Sequence, residues 1–217
     1  MRTIHEAARA GHTAPLQLLM LPAAYTGPED FVAAGFGTAL RERGLNVDVT
    51  FTALEFGHVT DRTVVGEVWE RLIAPARAQG CRVWLGGISL GGFVALCCAE
   101  REPAALAGLC LLAPYLGSHI VTQEIERAGG LERWEPGDSA ESDEERRIWR
   151  FIKSQVRGPL PIHLGLGRED RFGERHRTLA AALAAEDVDT VPGGHEWPVW
   201  RSLWERFLDA RIARSAG

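Results

Sequence analysis

"WLGGISLGGFVAL", residues 84–96, sets one serine among four glycines, between an apolar run and a second stretch of small apolar residues. The strand-length run "CRVWLG" at 81–86 leads into Gly87-Ile88-Ser89-Leu90-Gly91, a G-x-S-x-G pattern, and a segment of helical character follows. Two readings compete: a tight turn whose glycines serve close packing alone, or a turn that holds the Ser89 hydroxyl out for chemistry. A serine on so sharp a turn needs small neighbours two residues to either side, because a Cβ there would strike the adjoining strand or helix. The bare pattern is common by chance. The strand before it, the helix after it and the additional Gly86 and Gly92 favour the chemical reading.

Working outward, apolar runs of strand length alternate with segments of helical period, the pattern of a parallel sheet covered by helices on both faces. The runs are 16–21, 46–53, 81–86, 106–113, 160–166 and 188–191, and most are near-continuously apolar, as expected of strands buried on both sides. Six strands are thus expected. Between the first two, Pro28 with Glu29 and Asp30 reads as a helix start, and Gly44 as its end. Val64, Val68 and Leu72, widened by Trp69 and Ile73, mark the next helix, which Pro75 should kink or stop. A third helix starts at the serine turn and ends near Pro103. A short alanine-rich one is expected at about 175–186, and the last buries Trp200, Trp204, Phe207 and Leu208 on one face.

From Gly117 to Arg157 some forty residues separate the fourth and fifth strands, dense in charge around "GDSAESDEERR". The segment suits either a solvated insertion or a lid over a pocket at the strand ends. As a lid it would offer Ile120, Ile125, Leu131, Trp134, Ile148, Trp149 and Phe151 to a substrate, with Trp134 the candidate pocket residue. No repeat, low-complexity tract or linker divides the 217 residues, so one domain spanning 1–217 is expected.

Composition excludes several classes. With 46% apolar and 24% charged residues the chain is ordinary for a folded globular protein, and a net charge of −5 with interspersed signs offers no basic surface to a nucleic acid. Residues 14–24 resemble the apolar part of a secretory signal, but Glu6 interrupts the basic region and the run is too short to span a bilayer, so it reads better as a strand. The four cysteines, Cys81, Cys97, Cys98 and Cys110, lie in apolar segments without paired spacing or nearby histidines. They read as buried thiols in a reducing, cytoplasmic setting, and no metal site or cofactor is expected. Oligomeric state is not legible.

A hydroxyl is a poor nucleophile at neutral pH and needs a base within hydrogen-bond reach, itself oriented by a third group. Of seven histidines, His5 and His12 precede the first strand, His58 and His119 lie in connections, His163 is inside a strand, and His176 is expected to face solvent on a charged helix. His195 differs: it follows "VPGG" just after the last strand, where paired glycines can deliver an imidazole to the C-terminal edge of the sheet. The orienting acid should follow an earlier strand on that edge, and "LGLGREDRFG" supplies Glu169 and Asp170. The shorter Asp170 is preferred, with Glu169 in reserve.

With Ser, Asp and His in that order along the chain, "GGISLGG", "GREDRF" and "PGGHEW" resemble the identifying stretches of the α/β-hydrolases, over nearly the whole chain. The resemblance implies a serine hydrolase similar to compact bacterial carboxylesterases or thioesterases, with Ser89 as nucleophile, His195 as base then acid, and Asp170 as orienter. It further implies an oxyanion hole made by the Leu90 N–H and one N–H from "LPAAYTG", Ala24 first and Ala23 next. Tyr25 would line the acyl pocket or serve packing. The His-Gly pair usual in that loop is absent, and too few residues precede Leu16 for the antiparallel strands that usually open the fold, so a reduced sheet is expected. Two other functions compete: a small-molecule-binding protein that kept the fold without catalysis, and a phosphate-cradling turn. The second lacks the lysine and the glycine spacing it needs.

Overall fold

The computed structural model describes residues 1–54, 63–137 and 142–215. His58 and the centre of the charged stretch at 138–141 lie outside them. Among the described residues seven strands form one sheet: β1 (Thr3–Glu6), β2 (Leu16–Leu21), β3 (Asp48–Thr52), β4 (Arg82–Ile88), β5 (Gly108–Leu112), β6 (Ile162–Gly167) and β7 (Val188–Val191). Their order is β1-β3-β2-β4-β5-β6-β7, parallel throughout except for β1, which pairs antiparallel with β3. This is a mixed α/β architecture of the α/β-hydrolase type. All six expected strands are present, and β1 is an addition to them.

Side chains alternate along the central strands β2, β4, β5 and β6 between the two faces of the sheet, each packed in an apolar layer. Leu19, Leu21, Val83, Leu85, Leu109, Leu111, Ile162 and Leu164 pack in one layer, while Leu18, Met20, Trp84, Cys110 and Leu112 pack in the other. Helices α1 (Pro28–Ala33) and α2 (Phe36–Glu42) cover the second layer. Where one helix was expected, Gly35 breaks it at φ 78°, and Gly44 closes α2 at φ 60°. The first layer is covered by α3, a continuous run of Val64–Val68, Trp69–Ile73 and Ala74–Ala78, and by α4 (Leu90–Arg101). Pro75 does not stop α3. The turn at Trp69–Ile73 widens, the Ala74 N–H reaching back to Trp69 O, and so accommodates a residue that cannot donate.

The 117–157 segment contributes α5 (His119–Arg127) and α6 (Glu144–Gln155), whose start is capped by Asp143 accepting from the Arg146 N–H at 3.1 Å. Of its seven apolar residues expected to face a substrate, six are at most 6% exposed and lie in the first layer; Ile120 alone is open, at 54%. Trp134, expected to line a pocket, is 2% exposed and belongs to the core. The helices therefore act as the crossover that shields this face between β5 and β6.

Helices α7 (Gly173–Ala180) and α8 (Trp197–Phe207) follow, and Trp200, Trp204, Phe207 and Leu208 are buried as expected. Beneath α8 lies His163 on β6, fully buried, opposite Cys110 in register and against the Phe207 ring at 5.2 Å. Its Nε2 is 3.6 Å from Asp189, too long for a hydrogen bond. Burial, aided by the nearby Arg211 charge, pushes the imidazole down to about 4. A histidine held neutral in the fold is protonated first in the unfolded chain, whose value is near 6.5. Its contribution to stability is complete above that value and is lost as pH falls toward 4. We expect urea unfolding to report about 3 kcal/mol less stability at pH 4 than at pH 7 from this group. His163→Leu should flatten that pH dependence; an unchanged slope would contradict it.

Candidate functional site

Sheet order reverses between β2 and β4: from β2 the chain proceeds to β3 on one side, and from β4 to β5 on the other. Loops leaving adjacent strands at such a point diverge and open a crevice at their carboxyl ends. Three residues other than glycine have positive φ among the described residues: Tyr25 (62°), Ser89 (51°) and Ala113 (46°). Each sits just past the C-terminal end of β2, β4 or β5. Backbone strain is thus concentrated at one edge of the sheet.

At Ser89 the glycines have the clearance role expected of them. A Cβ on Gly87 would collide with the backbone of Gly91 and Gly92, and one on Gly91 with the backbone of Leu21 and Pro22. A Cβ on Gly92 would lie 2.8 Å from the Pro114 Cβ. The turn is pinned by its backbone: Ser89 N–H donates to Leu112 O at 3.1 Å, and Ser89 O accepts from the Tyr115 N–H at 2.8 Å and the Gly92 N–H at 3.0 Å. Leu90 opens α4, so its N–H points away from the helix's own acceptors, at the positive end of the dipole.

Beyond β6 the chain turns at Asp170. The carboxylate accepts the Phe172 N–H at 2.8 Å through Oδ1, a local turn that fixes its rotamer. Its Oδ2 accepts from His195 Nδ1 at 2.7 Å. Burial pushes the Asp170 carboxyl up, but the hydrogen bonds from His195 and Phe172 outweigh it and hold the group below its ordinary value. An ionised carboxylate only accepts, so His195 Nδ1 donates this bond, and in the neutral imidazole Nε2 is the nitrogen left to act as a base. The imidazole ring is fixed edge-to-face between Phe172 at 5.1 Å and Trp200 at 5.0 Å.

His195 is delivered by the loop after β7, as expected from "VPGG". Gly193 has φ 108°. The loop is held to the end of β6: Glu169 N–H donates to Gly193 O at 3.1 Å, and the Glu169 carboxylate accepts the Gly193 N–H. Glu169, the reserve acid, is therefore engaged with backbone, and Asp170 is the residue on His195. The Ser89 hydroxyl makes no hydrogen bond to His195 in this arrangement; an aromatic row, Phe93, Tyr115, Phe172 and His195, at 5.7, 6.3 and 5.1 Å between successive rings, runs from the helix that follows Ser89 to the imidazole. His176 departs from expectation. It is fully buried, its Nε2 2.9 Å from Pro114 O, because α7 turns that face onto the sheet edge.

The loop after β2 carries the other expected residues. Ala23 is buried with its carbonyl accepting from Thr26, Ala24 is half-buried, and Tyr25 is 92% exposed at the rim. A separate cavity of about 630 Å³ lies between α5, α6 and α7, lined by Ile125, Leu131, Val156 and Arg177. It contains none of Ser89, Asp170 or His195. Among the described residues no cluster of three metal-ligating side chains occurs, and no helix is long and apolar enough to cross a membrane.

Comparisons with known proteins bear on the fold and on the family. No curated protein matches the chain. Among solved structures, a monoacylglycerol lipase from Paleococcus ferrophilus is similar over 100% of this chain and 99% of its own, with a TM-score of 0.62 at 17% identity. An S-formylglutathione hydrolase from Staphylococcus aureus is similar over 91% of this chain and 82% of its own (TM-score 0.61, 12% identity). Est1E from Butyrivibrio proteoclasticus covers 96% and 94% (TM-score 0.59, 15% identity). At such identities these likenesses establish the fold alone. The family described as "Putative esterase" matches residues 66–208, a span that begins in α3 and includes the serine turn, Asp170 and His195. That match covers well over half of the sequence, and the chain belongs to this esterase family of ester-hydrolysing enzymes.

Proposed function

We propose that the protein is a serine hydrolase that cleaves small carboxylic esters or thioesters through an acyl-enzyme. The observation that carries this reading is the 2.7 Å bond between His195 Nδ1 and Asp170, at the same sheet edge as the strained Ser89 turn. Ser89 Oγ attacks the carbonyl carbon as His195 Nε2 takes its proton; Asp170 stabilises the imidazolium and keeps its orientation. The hydroxyl and the imidazole come into hydrogen-bond contact when substrate binds, as catalytic contacts often tighten only in the complex. The developing oxyanion is received by the N–H groups of Leu90 and Ala24, one from α4 and one from the loop after β2. Collapse of the tetrahedral intermediate breaks the bond to the leaving group, which departs with the proton from His195. Water, deprotonated by the same nitrogen, then releases the acid and restores Ser89.

Half-buried Tyr115 and Phe172, in the ring row that reaches His195, and Tyr25, exposed on the loop after β2, are the side chains offered to the acyl or leaving group. One domain spanning 1–217 suffices for this chemistry. The four thiols, unpaired and buried, suit a reducing compartment such as the cytoplasm.

A panel of nitrophenyl esters and thioesters of graded acyl length tests the substrate class. We expect the highest kcat/KM with short acyl chains, declining as the chain lengthens. Activity confined to long acyl chains, or to amides, would overturn that assignment.

A further inference from the structure

His176 is fully buried on α7, a helix otherwise rich in exposed charge. The Pro114 carbonyl, 2.9 Å from Nε2, only accepts, so Nε2 carries the proton and donates. Nδ1 is buried without a hydrogen-bond partner among the described residues. An imidazole with one unsatisfied nitrogen costs stability that an apolar side chain of similar size would not. Its position accounts for it better than packing does.

Pro114 belongs to a short strap, Ala113–Tyr115, that leaves β5 and leans on the serine turn. Ala113 N–H donates to Gly165 O at 2.7 Å, and Tyr115 N–H donates to Ser89 O at 2.8 Å. On its other side, His176 follows the acid-bearing turn directly: Gly173 N–H donates to Asp170 O at 2.9 Å and His176 N–H to Phe172 O at 3.2 Å. Burial disfavours the charged form of His176 more than the nearby Asp170 carboxylate favours it. One side-chain hydrogen bond therefore ties the turn that carries Asp170 to the strap that holds Ser89.

We propose that His176 is a positioning residue whose hydrogen bond to the Pro114 carbonyl sets the separation between Ser89 and the Asp170–His195 pair. It acts through Pro114 and the Asp170 turn and touches neither substrate nor reacting atoms. The inference rests on the reading of Ser89, Asp170 and His195 as the reacting set.

His176→Met removes the donor at similar volume, and His176→Gln returns an N–H near the place of Nε2. A displacement of the reacting groups by a fraction of an ångström to an ångström lowers kcat by about tenfold to a hundredfold. We expect that loss in His176→Met with KM within about twofold of wild type, and a parallel fall in the rate of Ser89 labelling by a fluorophosphonate. His176→Gln should regain most of the kcat. Should the methionine variant fail to fold, His176→Asn, polar but too short to reach Pro114, takes its place with the same expectation. Wild-type kcat in the donor-less variant, or equal losses in both variants that follow their melting temperatures, would overturn the positioning role. Ser89→Ala measured alongside separates the two claims. If it is inactive while His176→Met is fully active, the positioning role alone fails; if it retains turnover, both fail.

Discussion

Ser89→Ala is expected to lower kcat by about 10⁴- to 10⁶-fold, as loss of the nucleophile does in other triads, while the protein melts as the wild type does. The two halves of that result have separate physical origins. Alanine keeps the Cβ and therefore meets the same backbone constraint at φ 51°, in a turn whose hydrogen bonds from Gly92 and Tyr115 go to the main chain of residue 89 and not to its side chain. The fold loses almost nothing. The acyl-enzyme, in contrast, has no oxygen to form on. Residual rate above that in water would come from the N–H groups of the oxyanion site, which the substitution leaves in place. Turnover of a short nitrophenyl ester and a thermal melt, measured on one preparation, check both halves. A folded variant at wild-type rate would refute the mechanism.

Asp170→Asn should cost about 10⁴ in kcat, the scale of the same exchange in other serine triads. Asparagine can still accept the Phe172 N–H, so the turn keeps its shape. Toward His195 it then presents an amide N–H, which would force Nδ1 to accept and move the proton to Nε2; or, flipped at the cost of the Phe172 bond, it presents a neutral oxygen that stabilises the imidazolium far less than a carboxylate. The first leaves no base facing Ser89. Glu169→Gln is the matching control. Because Glu169 holds the Gly193 N–H and not His195, its neutral isostere should change kcat by less than about tenfold. If Glu169→Gln were the more damaging of the two, the acid would have been assigned to the wrong residue.

The core of the fold was legible because buried parallel strands carry a strong signal. Leu16–Leu21 and Val188–Val191 coincide with their apolar runs, and the other four expected strands differ from theirs only at the ends. β1 was not, for a physical reason: Thr-Ile-His-Glu is short and half-exposed at the sheet edge, held by main-chain pairing with β3 that any side chains permit. The pairing of His195 with Asp170 was readable from paired glycines and a post-strand acid. The destination of the 117–157 segment was not. Trp134, Ile148 and Trp149 are apolar whether they face a substrate or a sheet, and only the three-dimensional packing separates the two. His176 was hidden in the same way, since charged neighbours along α7 suggest an exposed helix while one buried face is all it needs to reach Pro114.

The central claim is that Ser89 is an activated nucleophile and His195 its base. Its most direct measurement is the site of covalent reaction with a fluorophosphonate, located by mass spectrometry of the digested protein and repeated on His195→Ala. The account predicts a single adduct on Ser89 that forms far more slowly in the histidine variant. An adduct on another residue, or none from a protein that is hydrolysing esters, would contradict it.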